Sequence, residues 1–450
     1  MLKKYFLVSL SALLCFTGIA QNMNGLVSGP WAGNVELRNA TIWAEVETNV
    51  RTVAVKYSNN NDHVIKTVAY KGELGKEFNP VKIELNGLEL NTSYSYSLVL
   101  NGKTITVPFK TEFKTKDLWQ YRKPAPDFNF LSGSCAYFNE PKYDRPGKPY
   151  GMDSSIFVTM GNTPAEFNLW LGDGWYTREV DFNTAWGLNK RVSRDRSMKV
   201  VQQFMSAMPQ YYIWDDHDFG PNNIGKSYIF KEESRKVFKD YTLNPTYGED
   251  GKGIYTKISY SDADFFLTDD RYFRSEATMA DSVNGKPNEA KDYLGSIQMD
   301  WLKNSLLYST ATFKIIATGS QVLNPISRGE CMYAYSYEYN DLINFISDHK
   351  ISGVLFLTGD RHHSEVIKLQ RPSAYTLYDI TISPFTATVS TAKGAEVHNP
   401  FRVTGTLVEA QNFGNIFITG KKEERVLKVI FTGIKGDKLA EWSISERELR

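Results

Sequence analysis

Cysteine is scarce in this chain, with three residues among 450, too few for a disulfide scaffold. One-sided charge is absent too. Lysine and arginine total 52 against 51 aspartates and glutamates, a formal net charge of +1. Binding to nucleic acid or to a membrane surface through the charge of the whole protein is therefore excluded. Beyond residue 20 no segment reaches the ~18 uninterrupted apolar residues of a membrane-crossing helix, so no transmembrane segment is expected in the processed chain. There is no internal repeat, no low-complexity tract and no Gly-x-x-x-x-Gly-Lys loop, which argues against a kinase or ATPase. Aromatic residues, by contrast, are abundant: 26 Tyr, 26 Phe and 9 Trp, within a hydrophobic content of 42%. Such a composition suits large, β-rich cores, and the length allows two to three domains.

The N-terminus has the layout of an export signal. Lys3 and Lys4 precede an apolar stretch, Tyr5 to Ala20, that ends in Gly18-Ile19-Ala20. Residues 1–20 are expected to be a signal peptide cut after Ala20, leaving the mature protein periplasmic or extracellular. Leu14 stands before Cys15 where a lipid-anchor signal needs a small residue, which disfavours an anchor.

Residues 24–117 read as an all-β domain. Ala40 to Val46 and Thr52 to Tyr57 alternate with the two-residue period of half-buried strands. Gly87-Leu88, then Thr92 and Tyr94, resembles the tyrosine corner of fibronectin-III and immunoglobulin-like sandwiches. His63 reads as a solvated loop residue. Lys123-Pro124-Ala125-Pro126-Asp127 is a linker. From 125 to 450 short apolar runs alternate with amphipathic stretches, Arg191 to Met208, Tyr228 to Tyr241 and Gln298 to Leu307, which is an α/β pattern.

Six of those apolar runs stop at reactive side chains. They lead into Ser134-Cys135, Gly172-Asp173, Asp215-Asp216-His217-Asp218, Asp269-Asp270-Arg271, Gly319-Ser320-Gln321 and Gly359-Asp360-Arg361-His362-His363. In α/β sheets ligands bind beyond the carboxyl ends of the strands. Six strands ending at one edge would gather a thiol, carboxylates, imidazoles and amides into one site. Carboxylates that close repel one another unless cations or protons neutralise them. A mixed oxygen, nitrogen and sulfur set suits a transition metal beside a harder cation. Two metals roughly 3.5–4 Å apart can clamp a phosphoryl group and activate a hydroxide. A second reading of Cys135 stays open, as a buried thiol or a disulfide partner of Cys331. Tyr176 as a core tyrosine and Asp216 as a turn-fixing acid stay open as well.

The ordered set Gly133-Ser134-Cys135, Leu171-Gly172-Asp173-Gly174-Trp175-Tyr176, Trp214-Asp215-Asp216-His217-Asp218 with Asn222-Asn223, and Gly359-Asp360-Arg361-His362 resembles the PhoD-like alkaline phosphatases of the calcineurin-like metallophosphatase superfamily. Asp270-Arg271-Tyr272-Phe273-Arg274 and Ser383-Pro384 add to the likeness. The resemblance implies a four-layer α/β/β/α catalytic domain at 125–450 behind the small β-sandwich, with an Fe(III) and Ca²⁺ centre. It implies Cys135 and Tyr176 as iron ligands, Asp173 as a bridging carboxylate, and Asn222, Asp360 and His362 as further metal-site residues. Whether Asn222 or Asn223 is the ligand stays open. Arg361 is expected to fork onto phosphate oxygens, and His217, with Asp216, to orient a ligand or protonate the leaving alkoxide. His363 is expected outside the ligand set, because His362 fills its slot. Thr177 replaces an acid common in the family, and the Gly-Asn-His-Asp/Glu and Gly-His-x-His signatures of ordinary dinuclear phosphatases are absent. The implied activity is hydrolysis of a small-molecule phosphate monoester by in-line attack of a metal-activated hydroxide. A phosphodiesterase or phospholipase-like activity is the alternative, and a non-catalytic binding sandwich the remote one.

Overall fold

A computed structural model of the protein describes residues 25–326 and 329–450. The expected signal peptide lies outside the described residues. No helix among them is long and apolar enough to cross a membrane.

The N-terminal region is a β-sandwich. One sheet joins strands Leu26–Gly33, Asn39–Val46 and Asn79–Asn86, all antiparallel. The other is built around Val53–Asn59 and Ser93–Leu100. Alternation places Val53, Val55, Tyr57, Tyr94, Tyr96 and Leu98 in the shared core. The tyrosine corner is present: the Tyr94 hydroxyl accepts the Glu89 backbone N–H at 2.7 Å. Two tryptophans face outward from the first sheet. Trp31 and Trp43 sit at 2% and 0% exposure because they pack into the neighbouring α/β region, within the core of its helices.

That α/β region holds two six-stranded sheets face to face. In the first, Phe128–Gly133, Asn168–Leu171 and Gln210–Ile213 run parallel, followed on one side by three antiparallel strands from Asn412–Thr419 onward. In the second, Ala263–Leu267, Phe313–Thr318 and Val354–Thr358 run parallel at the centre. The strands are buried on both faces, and successive side chains divide between two cores. Leu169 and Leu171 point between the sheets with Ile315 and Ala317 of the second sheet. Trp170 points out beneath helices Ala185–Ser197 and Lys199–Ala207, and Ile316 points out beneath Ser296–Tyr308 and Ser336–Asp348. The layers are therefore α/β/β/α.

Two details differ from the sequence reading. The six reactive strand ends come from two sheets, three from each, and not from one edge. Runs buried on both faces carry no period that tells one sheet from two. The amphipathic stretch 191–208 is two helices, because Met198 takes an extended conformation (φ −64°, ψ 129°) between them. Met205 and Met208 are core residues, and Met198 is partly buried between the helices.

Candidate metal centre

Glycines let the ends of the two sheets meet. Gly172 sits at φ +88°, and a Cβ there would lie 2.6 Å from the Asp215 Cβ. A Cβ on Gly359, in the second sheet, would lie 2.5 Å from the Leu171 carbonyl oxygen in the first. The turns after the strands are equally tight. Cys135, Asp173, Asp360 and His362 all adopt left-handed backbone, with φ of 62°, 53°, 67° and 57°. Non-glycine residues rarely take that conformation, and its concentration at one place marks a functional site.

The side chains converge on Asp173. Its Oδ2 accepts the Tyr176 hydroxyl at 2.8 Å and lies 3.6 Å from the Cys135 Sγ. Its Oδ1 accepts the His217 backbone N–H at 3.3 Å. The Tyr176 oxygen is 3.3 Å from Nε2 of His362, whose Nδ1 faces the Thr388 carbonyl at 2.7 Å. Cys135, Asp173 and His362 form one group of donors close enough to hold a metal ion, and Asp173, Asp216 and His217 form a second. Asp173 belongs to both. Tyr176 borders both, since its ring stacks on His217 with centroids 4.2 Å apart.

The remaining expected residues are placed as follows. Asp360 is in the same buried field, and its backbone carbonyl lies 3.8 Å from Cys135 Sγ. Asn222 lies on the exposed rim and donates to the Asn223 side chain at 2.7 Å. The Asn223 backbone N–H donates to Asp216 Oδ2 at 2.7 Å. Arg361 extends one guanidinium nitrogen to Glu396 at 3.2 Å. His363 is buried behind the site with Nε2 3.5 Å from Glu365. Cys135 and Cys331 are both free thiols, so the disulfide alternative is not realised. Arg178 is buried and bonded to Asp144 at 2.9 Å, and Arg191 to Asp181 at 2.7 Å, so neither is a free cation facing the site.

The electrostatics ask for cations. Burial raises the Asp173 carboxyl well above its usual range, and the charges of Asp216, Asp218 and Asp360 add to it. Burial, then Glu330 and Asp216, lift Asp360 to about 7. Burial likewise pushes up the Cys135 thiol, with Asp173 and Asp360 reinforcing it, and the Tyr176 phenol, with Asp173 and Cys135. Burial drives His362 down to about 4, so its imidazole is neutral. Burial opposes ionisation of Asp216 as well, but His217, Arg271 and the Asn223 N–H together hold that carboxyl below the ordinary value. Among the described residues no lysine or arginine pairs with Asp173 or Asp360; the buried cation Arg271 bonds to Asp215 and Glu330. The ring nitrogen Nδ1 of His217 is buried without a partner. Crowded unpaired carboxylates beside a thiol, a phenol and a neutral imidazole fit metal ions. The Nδ1 contact from His362 to Thr388 fits too, because a ligating histidine usually donates its other N–H to an oxygen.

Sequence reasoning did not single out Thr388 or Tyr150, and it met Ser383 only as part of the Ser383-Pro384 motif, without a role. Ser383 Oγ accepts the His362 backbone N–H at 2.9 Å and lies 3.3 Å from Cys135 Sγ. The Tyr150 ring packs 5.8 Å from that of His362. Ser383-Pro384 was visible as a motif; nothing local marks Thr388 or Tyr150.

Comparisons with known proteins give the family and the fold. The profile of the PhoD-like phosphatase family matches residues 134–424, and that of a domain of unknown function (DUF7800) matches residues 23–118. Alkaline phosphatase D of Bacillus subtilis (strain 168) is 23% identical over 379 residues, covering 76% of this chain and 64% of that protein. The chain thus aligns with slightly less than two thirds of that relative's length. The structure of PhoD superposes with a TM-score of 0.73 at 17% identity, over 95% of this chain and 92% of that one. A purple acid phosphatase from yellow lupin (Lupinus luteus) seeds superposes with a TM-score of 0.64 at 11% identity, over 92% of this chain and 74% of that one. At such identities the two superpositions speak to the fold alone. The profile match spans more than half of the chain and takes in every candidate donor from Cys135 to His362, so the chain belongs to the PhoD-like phosphatase family.

Proposed function

We propose that this protein is an exported, metal-dependent phosphoric-ester hydrolase acting on monoesters. The observation that carries the reading is Asp173, one carboxylate common to two adjoining donor groups. Cys135, Tyr176, Asp173 and His362 would hold one ion, and Asp173 and Asp216 its neighbour, with Asp360 and the Asn222–Asn223 turn beside them. Thiolate and phenolate donors favour Fe(III), and carboxylate and amide oxygens favour Ca²⁺. Bound metals supply Lewis-acid charge and a nucleophile available at neutral pH.

The chain's own groups do the rest. Thr388 holds the His362 imidazole with Nε2 turned toward Tyr176. The Asn223 N–H fixes Asp216, and the capping interactions of Asp218 fix both loops: its Oδ1 accepts the Trp175 N–H and its Oδ2 the Asp215 N–H, each at 3.0 Å. His217, partly open to solvent beside Tyr176, is the group able to give a proton to a leaving alkoxide. Arg361, once released from Glu396, offers a fork for equatorial phosphate oxygens.

Metal analysis of protein from its native host, with monoester and diester assays run side by side, tests this. The expected result is two kinds of ion per chain and faster monoester turnover that is lost on chelation and restored by metal. A metal-free protein with full activity would end the metal reading. Faster diester turnover would transfer the assignment to a phosphodiesterase.

A further inference from the structure

A cleft of about 210 Å³ opens directly onto the candidate centre. Tyr176, His217 and Asn222 form its inner end, and the irregular segment 137–150 forms its outer wall. That volume is below the ~300 Å³ at which whole-ligand pockets begin, so the cleft suits one part of a substrate whose phosphate sits at the metals.

Its lining is unusual for a phosphate site, because it is rich in aromatic rings: Tyr137, Tyr143, Tyr150, Tyr176 and Phe182. Tyr137 meets Tyr176 edge-on at 5.1 Å and Tyr150 edge-on at 4.8 Å. Tyr150 and Tyr143 remain 40% and 37% exposed on its wall, although both are large and partly apolar. Exposed aromatic faces around a concavity are stacking platforms for flat rings.

The charges on the wall are not equivalent. Arg178 bonds to Asp144 at 2.9 Å, and Arg145 to Glu179 at 3.0 Å, so both pairs are internally balanced. Lys148 has no carboxylate partner among the described residues. Lys142 lies over the Tyr143 ring at 5.0 Å and also lacks a carboxylate partner among the described residues, so two uncompensated cations, Lys142 and Lys148, stand beside the aromatic faces.

Resting on the hydrolase reading above, we propose that this cleft is a leaving-group subsite for phosphate compounds that bear a flat aromatic ring system and a second negative charge, the chemistry of a nucleoside diphosphate: water attacks the terminal phosphorus, the phosphoanhydride P–O bond breaks, and the nucleoside monophosphate leaves as the anion beside inorganic phosphate. The ring stacks against Tyr143 and Tyr150, Lys148 meets the second charge, and the terminal phosphate reaches the Asp173 centre. Aliphatic polyol phosphates leave the tyrosines uncovered and are the poorer substrates.

The metal-loaded full-length protein is assayed on adenosine diphosphate, adenosine monophosphate and glycerol phosphate, in the wild type, Tyr143→Ala and Lys148→Ala. Both positions are on a surface segment, where such substitutions usually move stability little, and thermal melting checks that both variants fold. Stacking on one aromatic side chain supports roughly a tenfold effect. Tyr143→Ala should therefore lower the ratio of kcat/KM for adenosine diphosphate to that for glycerol phosphate by about tenfold, mainly through KM. Lys148→Ala should lower the ratio of diphosphate to monophosphate several-fold. Ratios unchanged in both folded variants, or a wild type that prefers glycerol phosphate, would overturn the subsite. Adenosine diphosphate binding, followed by quenching of intrinsic fluorescence, separates this from failure of the hydrolase reading. Binding that weakens in Tyr143→Ala supports the subsite even if no ester is turned over, and binding equal in wild type and variant removes it.

Discussion

The Trp43 indole N–H donates to the Asp240 backbone carbonyl at 2.8 Å, and the Trp43 ring stacks on Trp31 with centroids 4.3 Å apart and planes 17° apart. Trp43 belongs to the sandwich, and Asp240 to helix Lys231–Tyr241 of the α/β region. Nearby, the Tyr241 hydroxyl donates to Glu45 Oε1 at 2.8 Å. The sandwich is thus keyed into helix Lys231–Tyr241, which in turn packs against the short helix Asp216–Phe219 that carries His217.

Trp43→Ala should destabilise the protein by about 3–5 kcal/mol, because it removes a fully buried ring and its hydrogen bond. Urea unfolding followed by fluorescence measures it. A loss below about 1 kcal/mol would mean that the cavity refills or that the two regions unfold separately.

Asp173→Asn should weaken both metals together and abolish turnover. A bridging carboxylate serves both sites, so metal content and kcat should fall in step. Metal-loaded variant protein with normal kcat would reduce Asp173 to a turn residue.

Cys135→Ser and Tyr176→Phe change few atoms. A purely structural role for either would usually alter stability by about 1–2 kcal/mol and leave activity intact. If both ligate ferric iron, the iron-loaded protein is coloured by charge transfer, and each change should shift the band and lower iron affinity roughly tenfold or more. His363→Ala should shift it much less. Full iron with an unshifted band in both variants would remove the two ligands from the proposal.

Lys82, where the sandwich meets helix Lys231–Tyr241, gives a pH test that does not involve the candidate donors. Burial lowers its amine from 10.5 to about 8, although it donates to the Lys239 carbonyl and lies 3.3 Å from the Tyr247 hydroxyl. A folded value below the unfolded one means that the charged form is penalised in the fold. The stability of wild type relative to Lys82→Met should therefore be flat below about pH 8 and rise between about 8 and 10.5, where the unfolded amine still binds a proton. Denaturant midpoints for the two proteins across that range give the slope. A flat or falling difference would show that Lys82 is solvated.

Local patterns exposed a good deal of this molecule. Leu88, Thr92 and Tyr94 announced the tyrosine corner because its parts lie within a few residues of one another. Cys135, Asp173 and Asp360 were visible as reactive groups ending apolar runs. What stayed hidden depends on contacts between distant segments. Phe265 and Leu171 look alike in sequence but come from different sheets, and only packing separates them. Arg361 reads as a free fork, yet Glu396, 35 residues on in a short 3-10 helix, holds it. Thr388 acts through its backbone carbonyl, which any residue type supplies.

The left-handed backbone at Cys135, Asp173, Asp360 and His362 has a consequence for how such chains drift. Each of these conformations costs about 1–2 kcal/mol in a residue with a Cβ, less in aspartate than in cysteine or histidine, and glycine would relieve it. Fold stability and the donor set therefore pull in opposite directions at these four positions. A descendant freed from the need to bind metal would gain stability by replacing them and would keep its core, its sandwich and its overall shape. The four identities are thus a sensitive marker for telling a working descendant from an inactive copy of the same fold.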